Sequence, residues 1–102
     1  MKKEAILNYL IEIKGSLREK GIEKIGLFGS FSKDKSNEFS DIDIAIQLQK
    51  GYLEKNDVWK YFKLLETIQN LLLKKFLRKV DIFDLDSKNE IKKYITKDII
   101  YV

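Results

Sequence analysis

The sequence contains no cysteine, no histidine and no proline. Without cysteine and histidine, disulfides, thiolate nucleophiles, imidazole bases and ordinary zinc sites are all excluded. Any metal ion must therefore be held by oxygen atoms, and magnesium takes carboxylate oxygens together with phosphates. Because proline-rich linkers, low-complexity tracts and internal repeats are also missing, we expect a single domain over residues 1–102.

Long apolar runs are absent as well. No stretch approaches the roughly 18 apolar residues that a membrane span requires, and the N-terminus begins with charged residues in place of the apolar run of a signal peptide. These absences predict a cytoplasmic protein with no membrane partner.

The content of apolar residues and the balance of charge both fit a small folded domain. The 102 residues are 44% hydrophobic, with 6 Phe, 5 Tyr and 1 Trp, which is enough for one compact core. The 20 basic residues outnumber the 16 acidic ones and leave a net charge of +4, with lysines along the whole length. This excess suits a polyanionic substrate, and a solvated lysine-rich surface would account for it equally well.

Periodicity in the first part of the chain predicts a helix followed by a strand. Apolar residues spaced by three and four predict a helix over Lys3–Lys20 with Gly21 as its left-handed cap. The residues on that spacing are Ile6, Leu10, Ile13 and Leu17. A short buried strand over Lys24–Phe28 is expected to stop at Gly29 and Ser30.

The second half predicts a long helix, a strand and two short C-terminal elements. Asn56 is expected to cap the long helix, whose apolar residues are Trp59, Phe62, Leu65, Ile68 and Leu72. It ends among cations that favour the helix dipole, namely Lys74, Lys75 and Arg78. A third strand over Lys79–Leu85, a capping box with Glu90 that opens a helix over Ser87–Tyr94, and an extended edge over Asp98–Val102 follow. This order predicts an α+β fold with helices covering a small sheet.

Two aspartates lie on the remaining predicted strand, Ser40–Leu48. Asp41 and Asp43 alternate with isoleucines and share a face, where two carboxylates are unfavourable unless positive charge lies between them. Magnesium would supply that charge. The opposite face carries three isoleucines and is predicted to be the core, whereas Ala45 is expected to leave room for a ligand. An isolated pair of this kind is more often a solvated sheet face, so the neighbouring features decide.

The Gly-Ser pair after the first strand is the second such feature. Gly29 allows a sharp turn, and Ser30 begins a helical turn whose amides and hydroxyl could receive phosphate oxygens. Lys33 and Lys35 could neutralise a triphosphate. Taken alone, the pair is equally an ordinary turn with an N-cap, and the lysines are ordinary loop residues.

Asp81 on the third strand is the third feature. Alternation puts Asp81 on the face of Phe83 and Leu85, at the margin of a packed surface where a carboxylate is costly without a cation. Asp84 points to the opposite face. Asp86 lies beyond the strand.

These motifs together resemble a known family. Gly29-Ser30-Phe31 is followed, eleven positions after Ser30, by Asp41-Ile42-Asp43. This spacing resembles the DNA-polymerase-β-type nucleotidyltransferase superfamily, in particular its minimal nucleotidyltransferases, which are partners or antitoxins of HEPN-domain proteins. The resemblance covers nearly the whole chain and implies a mixed sheet of the polymerase-β palm type.

The resemblance also implies a reaction and a set of site residues. Two Mg²⁺ ions and a nucleoside triphosphate, usually ATP, would be bound, with Asp41, Asp43 and Asp81 as the metal-binding and catalytic carboxylates. Gly29, Ser30 and Lys33 would hold the phosphates. Asp81 would lie near the acceptor hydroxyl. Ser30 is expected to position phosphate rather than act as a nucleophile, since the pattern shows no base beside it.

The sequence departs from the family pattern at one place and allows several alternatives. Many relatives carry Arg-Gly where this chain has Lys33-Asp34, so a bidentate phosphate clamp is missing. A non-catalytic binding module with the same fold is the alternative from another class, and a small molecule or an RNA end is the alternative acceptor. Nucleic acid is the less expected partner because no aromatic and basic stacking surface is evident, and a homo-oligomer is possible.

A protein acceptor suits so short a chain best. We expect the acceptor to be a hydroxyl, most simply that of a tyrosine, on a HEPN-type partner that the modification silences. Tyr52 and Tyr61 could line the contact surface, although ordinary rim packing explains tyrosines at least as well.

Overall fold

The structure, a computed structural model, describes residues 1–87 and 96–102. Eight elements are present in this part of the chain: α1 (Lys3–Glu19), β1 (Ile22–Phe28), α2 (Gly29–Ser32), β2 (Ile42–Leu48), α3 (Tyr52–Lys55), α4 (Val58–Phe76), β3 (Val80–Asp84) and β4 (Ile100–Tyr101). The helix predicted over Ser87–Tyr94 lies almost wholly outside the described residues.

The strands form one mixed sheet in the order β3-β2-β1-β4. β1 is antiparallel to β2 and to β4, whereas β2 and β3 are parallel. A parallel pair requires a crossover, and α3 and α4 provide it. The predicted α+β fold with a mixed sheet and helices is thus confirmed, and β4 lies at the sheet edge as expected.

The core lies between the helices and one face of the sheet. The three isoleucines of β2 predicted to face it are all 0% exposed. The first helix buries the four predicted residues, and α4 buries Leu64, Ile68 and Leu72. Trp59 and Phe62 are 75% and 55% exposed, so their predicted place among the packed residues of the long helix is wrong. They lie on the outward side of α4, away from Ile68.

The N-terminus of α4 also differs from the prediction. Asp57, not Asn56, is the N-cap, and its carboxylate accepts a hydrogen bond from the backbone N–H of Lys60 at 2.9 Å. Asn56 instead ends α3, where its side-chain amide donates to the carbonyl of Tyr52 at 3.0 Å. Both residue types cap helices well. Because Asn56 ends the short helix α3, the next residue, Asp57, caps α4.

No helix in the described part of the chain is long and apolar enough to cross a membrane.

Candidate active site

Three strands bring one row of residues together at the end of the sheet where β1 stops. Phe28 pairs with Asp43 across the antiparallel β1 and β2, and Asp43 pairs with Asp81 across the parallel β2 and β3. Asp41 lies two positions before Asp43, immediately ahead of β2. Backbone register therefore brings the three predicted carboxylates to one end of the sheet.

The electrostatics of this row centre on Asp43, which is partly buried. Burial first, and then the negative charges of Asp81 and Asp41, raise the pKa of Asp43 from 3.8 to about 6. Negative charge gathered in this way is unfavourable unless a cation lies near it. The row is therefore suited to a positively charged ligand.

The carboxylate side chains are less closely grouped than the pairing of their backbones alone would place them. The Asp81 side chain is 52% exposed, and its Oδ1 lies 3.9 Å from Nζ of Lys79. Asp81 at this margin is therefore largely exposed, and the predicted cost of a carboxylate there is reduced. Within residues 1–87 and 96–102, no three acidic side chains are placed so that they could hold a metal ion as they stand.

The chemistry of the donors nevertheless fits a divalent cation. All the side-chain donors in the row are carboxylate oxygens, which Mg²⁺ prefers, and burial followed by the charges of Asp81 and Asp41 raises the pKa of the central carboxylate, Asp43. The residues available to hold such an ion are Asp41, Asp43 and Asp81.

Gly29 contacts this row directly. Its φ is +78°, in the left-handed region, and a Cβ at this position would overlap the carboxylate of Asp43. Any other residue would both strain the turn and displace that carboxylate. Glycine is therefore required at position 29 because the turn passes directly against the Asp43 carboxylate.

The short helix α2 follows Gly29 and presents Ser30. The Ser32 hydroxyl donates to the carbonyl of Gly29 at 2.8 Å, and the N–H of Lys35 donates to the carbonyl of Ser30 at 2.9 Å. These bonds close the turn, and Ser30 remains partly exposed next to the residue that contacts Asp43. Its place beside the carboxylate row agrees with the prediction, and its role toward phosphate stays a prediction.

The Lys33-Asp34 pair makes two ion pairs. Lys33 Nζ lies 3.3 Å from Oδ2 of Asp98, and Lys3 Nζ lies 3.0 Å from Oδ2 of Asp34. Asp34 has φ +58°, a conformation that glycine adopts more easily. Asp34 thus occupies a backbone position for which the glycine of the Arg-Gly pattern is better suited. The Asp98 contact has no sequence signal, because it joins two distant surface residues.

Asp84 is separated from the row, as alternation predicts. It is opposite Ile46 in the parallel ladder, and its Oδ2 accepts a hydrogen bond from the Tyr61 hydroxyl at 2.8 Å. The backbone N–H of Asp86 donates to its Oδ1 at 2.9 Å. The predicted strand register, with Asp81 rather than Asp84 on the Asp43 face, is confirmed.

The two tyrosines expected at a contact surface both make contacts within this chain. Tyr52 is 8% exposed and packs against Gly21, where a Cβ would overlap its ring. Burial and the bond to Asp84 raise the pKa of Tyr61 above its ordinary value. The expectation for Tyr52 is wrong, because the absence of a side chain at Gly21 opens a buried place for its ring. A cavity of about 490 Å³ adjoins Tyr61 and Phe62, and none of the three row carboxylates lines it.

The space expected above Ala45 is filled. Ala45 is 0% exposed and lies between Gly26 and Phe83 on the neighbouring strands. The rings of Phe28 and Phe83 are in edge-to-face contact on this side of the sheet, with centroids 6.4 Å apart. The small side chain of Ala45 therefore accommodates aromatic packing rather than a ligand.

A comparison with protein families agrees with this geometry. A family model described as "Polymerase beta, Nucleotidyltransferase" matches residues 12–102. The chain belongs to this nucleotidyltransferase family. The matched span includes Gly29, Asp43 and Asp81, so the whole carboxylate row of this nucleotidyltransferase lies inside it.

Two curated relatives match almost the full length of this nucleotidyltransferase. Protein adenylyltransferase MntA of Thermococcus cleftensis is 31% identical over 100 residues, with 97% of this chain and 94% of the relative covered. A proposed protein adenylyltransferase of Methanocaldococcus jannaschii is 36% identical over 100 residues, with 95% and 94% covered.

Two solved structures resemble this nucleotidyltransferase. The structure of a proposed minimal nucleotidyltransferase superposes with a TM-score of 0.70 at 17% identity, over 98% of this chain and 95% of that one, and therefore supports the fold alone. A toxin–antitoxin crystal structure with AMP-PNP has a TM-score of 0.56 at 28% identity, over 81% of this chain and 60% of that one.

Proposed function

We propose that this nucleotidyltransferase transfers AMP from ATP to a hydroxyl of a protein partner, and that the partner is a toxin silenced by the modification. Two observations support the adenylyl group and the partner. Both curated relatives carry the name of a protein adenylyltransferase, and one structural relative is part of a toxin–antitoxin assembly with AMP-PNP.

In this proposal Asp41, Asp43 and Asp81 hold two Mg²⁺ ions. When bound, the ions supply positive charge to the triphosphate and lower the pKa of the attacking hydroxyl. Asp43 is the central carboxylate of the three, because it pairs with Asp81 and lies two positions after Asp41, and burial together with those two charges raises its pKa to about 6.

The proposed reaction transfers the adenylyl group from ATP to the acceptor, and the remaining residues of the site bind and orient the nucleotide. The hydroxyl oxygen of the acceptor attacks the α-phosphorus of ATP, the bond from that phosphorus to the β-phosphate oxygen breaks, and pyrophosphate leaves. The hydroxyl proton passes to Asp81 or to water. Gly29 and Ser30 position the phosphates, and Lys33 adds a point charge once it leaves Asp98.

The acceptor in this proposal is a tyrosine hydroxyl on a helical HEPN-type toxin. A protein substrate brings its own binding surface, whereas the described residues of this chain form mainly the sheet and the helices that cover it. We further propose that this modification takes place in the cytoplasm.

The single observation that carries the proposal is the register of Asp43 opposite Asp81 with Gly29 against the Asp43 carboxylate. The test is to incubate the purified protein with ATP, Mg²⁺ and the product of the neighbouring gene, and to follow that product by intact mass. Addition of one or more adenylyl groups by the wild type, and none by Asp43→Asn, is expected. An unmodified neighbour with efficient labelling of a small alcohol or an RNA end would overturn the protein acceptor and retain the nucleotidyl transfer.

A further inference from the structure

Arg78 lies between α4 and β3 and contacts the segment that leads into the carboxylate row. Its Nη1 donates hydrogen bonds to three backbone carbonyls, those of Asn37 at 3.1 Å, Glu38 at 3.2 Å and Ser40 at 2.9 Å. The next residue along the chain is Asp41. Hydrogen bonds from a charged donor are stronger than neutral ones, so this contact restrains the segment.

The same guanidinium group also contacts α2, the short helix that begins at Gly29. Its carbon lies 5.3 Å from the ring centroid of Phe31, which belongs to α2 and is 1% exposed. An arginine over an aromatic face is held by the ring electrons and by its own planarity. Arg78 therefore connects the turn that begins at Gly29 with the segment before Asp41.

Asp41 is flanked by two anchored backbone groups. The carbonyl before it, that of Ser40, accepts from Arg78, and the N–H after it, that of Ile42, donates to the carbonyl of Lys79 at 2.9 Å. Both anchors come from two consecutive residues that directly precede β3. One short stretch of chain thus sets Asp41 relative to the strand that carries Asp81.

The segment itself has little other structure. It contains no helix or strand between α2 and β2. Its own bonds are local, from the N–H of Asn37 to the Ser40 hydroxyl and from the N–H of Phe39 to the Asn37 side chain, both at 2.8 Å. The ring of Phe39 is 84% exposed. Arg78 therefore joins the turn over residues 37–40 to α2 and to the start of β3.

We propose that Arg78 is a positioning residue that holds Asp41 in place to share a cation with Asp43. The inference rests on the proposed function, because it concerns the same carboxylates. It adds a residue whose contacts are with backbone carbonyls and the Phe31 ring. Residues that orient metal ligands typically change metal affinity by about ten- to a hundred-fold when removed.

The test compares Arg78→Met with Arg18→Met, which removes the only other arginine in the chain. Arg18 is exposed in the last turn of α1, at the far end of β1 from Gly29. Binding of Mn²⁺ in the presence of a non-hydrolysable ATP analogue is measured by electron paramagnetic resonance. Amide hydrogen exchange over residues 37–42 is measured on the same samples.

Arg78→Met is expected to weaken Mn²⁺ binding about tenfold or more and to speed exchange over residues 37–42, while Arg18→Met changes neither. Arg78→Lys, which keeps a charged donor for the carbonyls, is expected to recover part of both. Should Arg78→Met not fold, Arg78→Gln and Arg78→Lys are compared by the same two measurements, with Gln expected to be the weaker binder.

Two results would overturn the inference, and they are distinguishable. Wild-type protein that binds no Mn²⁺ with the analogue overturns the proposed function and the inference with it. Normal binding by the wild type, together with equal binding by the folded Arg78 and Arg18 variants, overturns the role of Arg78 alone.

Discussion

Asp43 on β2 and Asp81 on β3 lie directly opposite each other in a parallel pair, so that two carboxylates share one row of the sheet. Like charges in facing positions destabilise a sheet. Burial and the charges of Asp81 and Asp41 together raise the pKa of Asp43 to about 6. The metal-free protein therefore keeps this row at a cost in stability, as is common where a site is built for a ligand.

This cost predicts an unusual dependence of stability on pH. Because the folded-state pKa of Asp43, about 6, is above the unfolded value of 3.8, the folded chain binds more protons between these values and loses stability as the pH rises through them. Above pH 6, Asp43→Asn should therefore be more stable than the wild type in EDTA, and the difference should vanish below about pH 4. Urea unfolding over this pH range measures it. Glu23→Gln, an exposed change on β1, is the charge-matched control, and equal stability of Asp43→Asn and wild type at pH 7.5 would contradict the prediction.

Asparagine substitutions should separate the proposed catalytic aspartates from their neighbours. Asp41→Asn, Asp43→Asn and Asp81→Asn should each abolish transfer under single-turnover conditions, because each removes a ligand charge. Asp84→Asn should leave transfer within a few-fold of the wild type, since Asp84 bonds to Tyr61 on the other face. Loss of activity at Asp84 with Asp81 silent would show that the wrong aspartate has been assigned.

Tyr61→Phe provides a matched control for that series. It removes the donor to Asp84, which should cost about 0.5–1.5 kcal/mol of unfolding free energy while transfer is unaffected. The measurement is urea unfolding alongside the transfer assay.

Two glycines offer a direct test of the contact with Asp43. Gly29→Ala places a methyl group against the Asp43 carboxylate and strains a backbone with φ +78°, so both folding stability and transfer should fall. Gly15→Ala, in the middle of α1 with open space around it, should instead stabilise the protein by about 0.5–1 kcal/mol. Thermal unfolding and the transfer assay applied to both variants check this, and a fully active Gly29→Ala would refute the close approach.

Ser30→Ala should slow transfer by about ten- to a hundred-fold, the effect of losing one preorganised donor. Nucleotide binding should weaken with it, and stability should be unchanged because Ser30 is partly exposed. Kinetics and calorimetry with a non-hydrolysable analogue provide the measurements. Isolation of an adenylyl group attached to Ser30 of the wild type would contradict a positioning role.

The ion pair between Lys33 and Asp98 should weaken nucleotide binding. Asp98→Asn removes the competing carboxylate 3.3 Å from Lys33, so affinity for the ATP analogue should rise, whereas Lys33→Met should lower it. Both groups are substantially exposed, so the changes should be a few-fold and should shrink at high salt. Titration calorimetry at two salt concentrations tests this, with Lys97→Met as a control for a neighbouring exposed lysine. Unchanged affinity in both variants would remove Lys33 from the phosphate site.

Local patterns were enough to predict most of the fold. The buried residues of α1 and β2 repeat with the period of their own element, so Ile6 and Ile44 could be placed from the sequence. Asn56 and Asp57 are equally good caps, and only the presence of α3 decides between them. Trp59 was misplaced because its spacing along α4 fits an apolar stripe.

The features of the site likewise fall into those that a local pattern predicts and those that only the assembled fold brings together. Alternation predicted that Asp81 and Asp84 point to opposite faces, because this follows from the strand alone. The contacts of Arg78 with the carbonyl of Ser40 and of Lys33 with Asp98 join residues far apart in the chain. No local pattern encodes such contacts, so they are visible only once the sheet is assembled.

The parallel pairing of β2 with β3 also bears on how this protein folds. Asp43 and Asp81 are 38 positions apart and are separated by the crossover through α3 and α4, so their pairing is a non-local contact that carries a loop-closure entropy cost. The unfolded chain therefore has no comparable site, and the Mg²⁺–nucleotide complex of the proposed function, held by both carboxylates, would stabilise the native state alone, by RT ln(1 + [L]/Kd). On that proposal, the nucleotide concentration would shift the folded fraction of the protein as well as the rate of transfer.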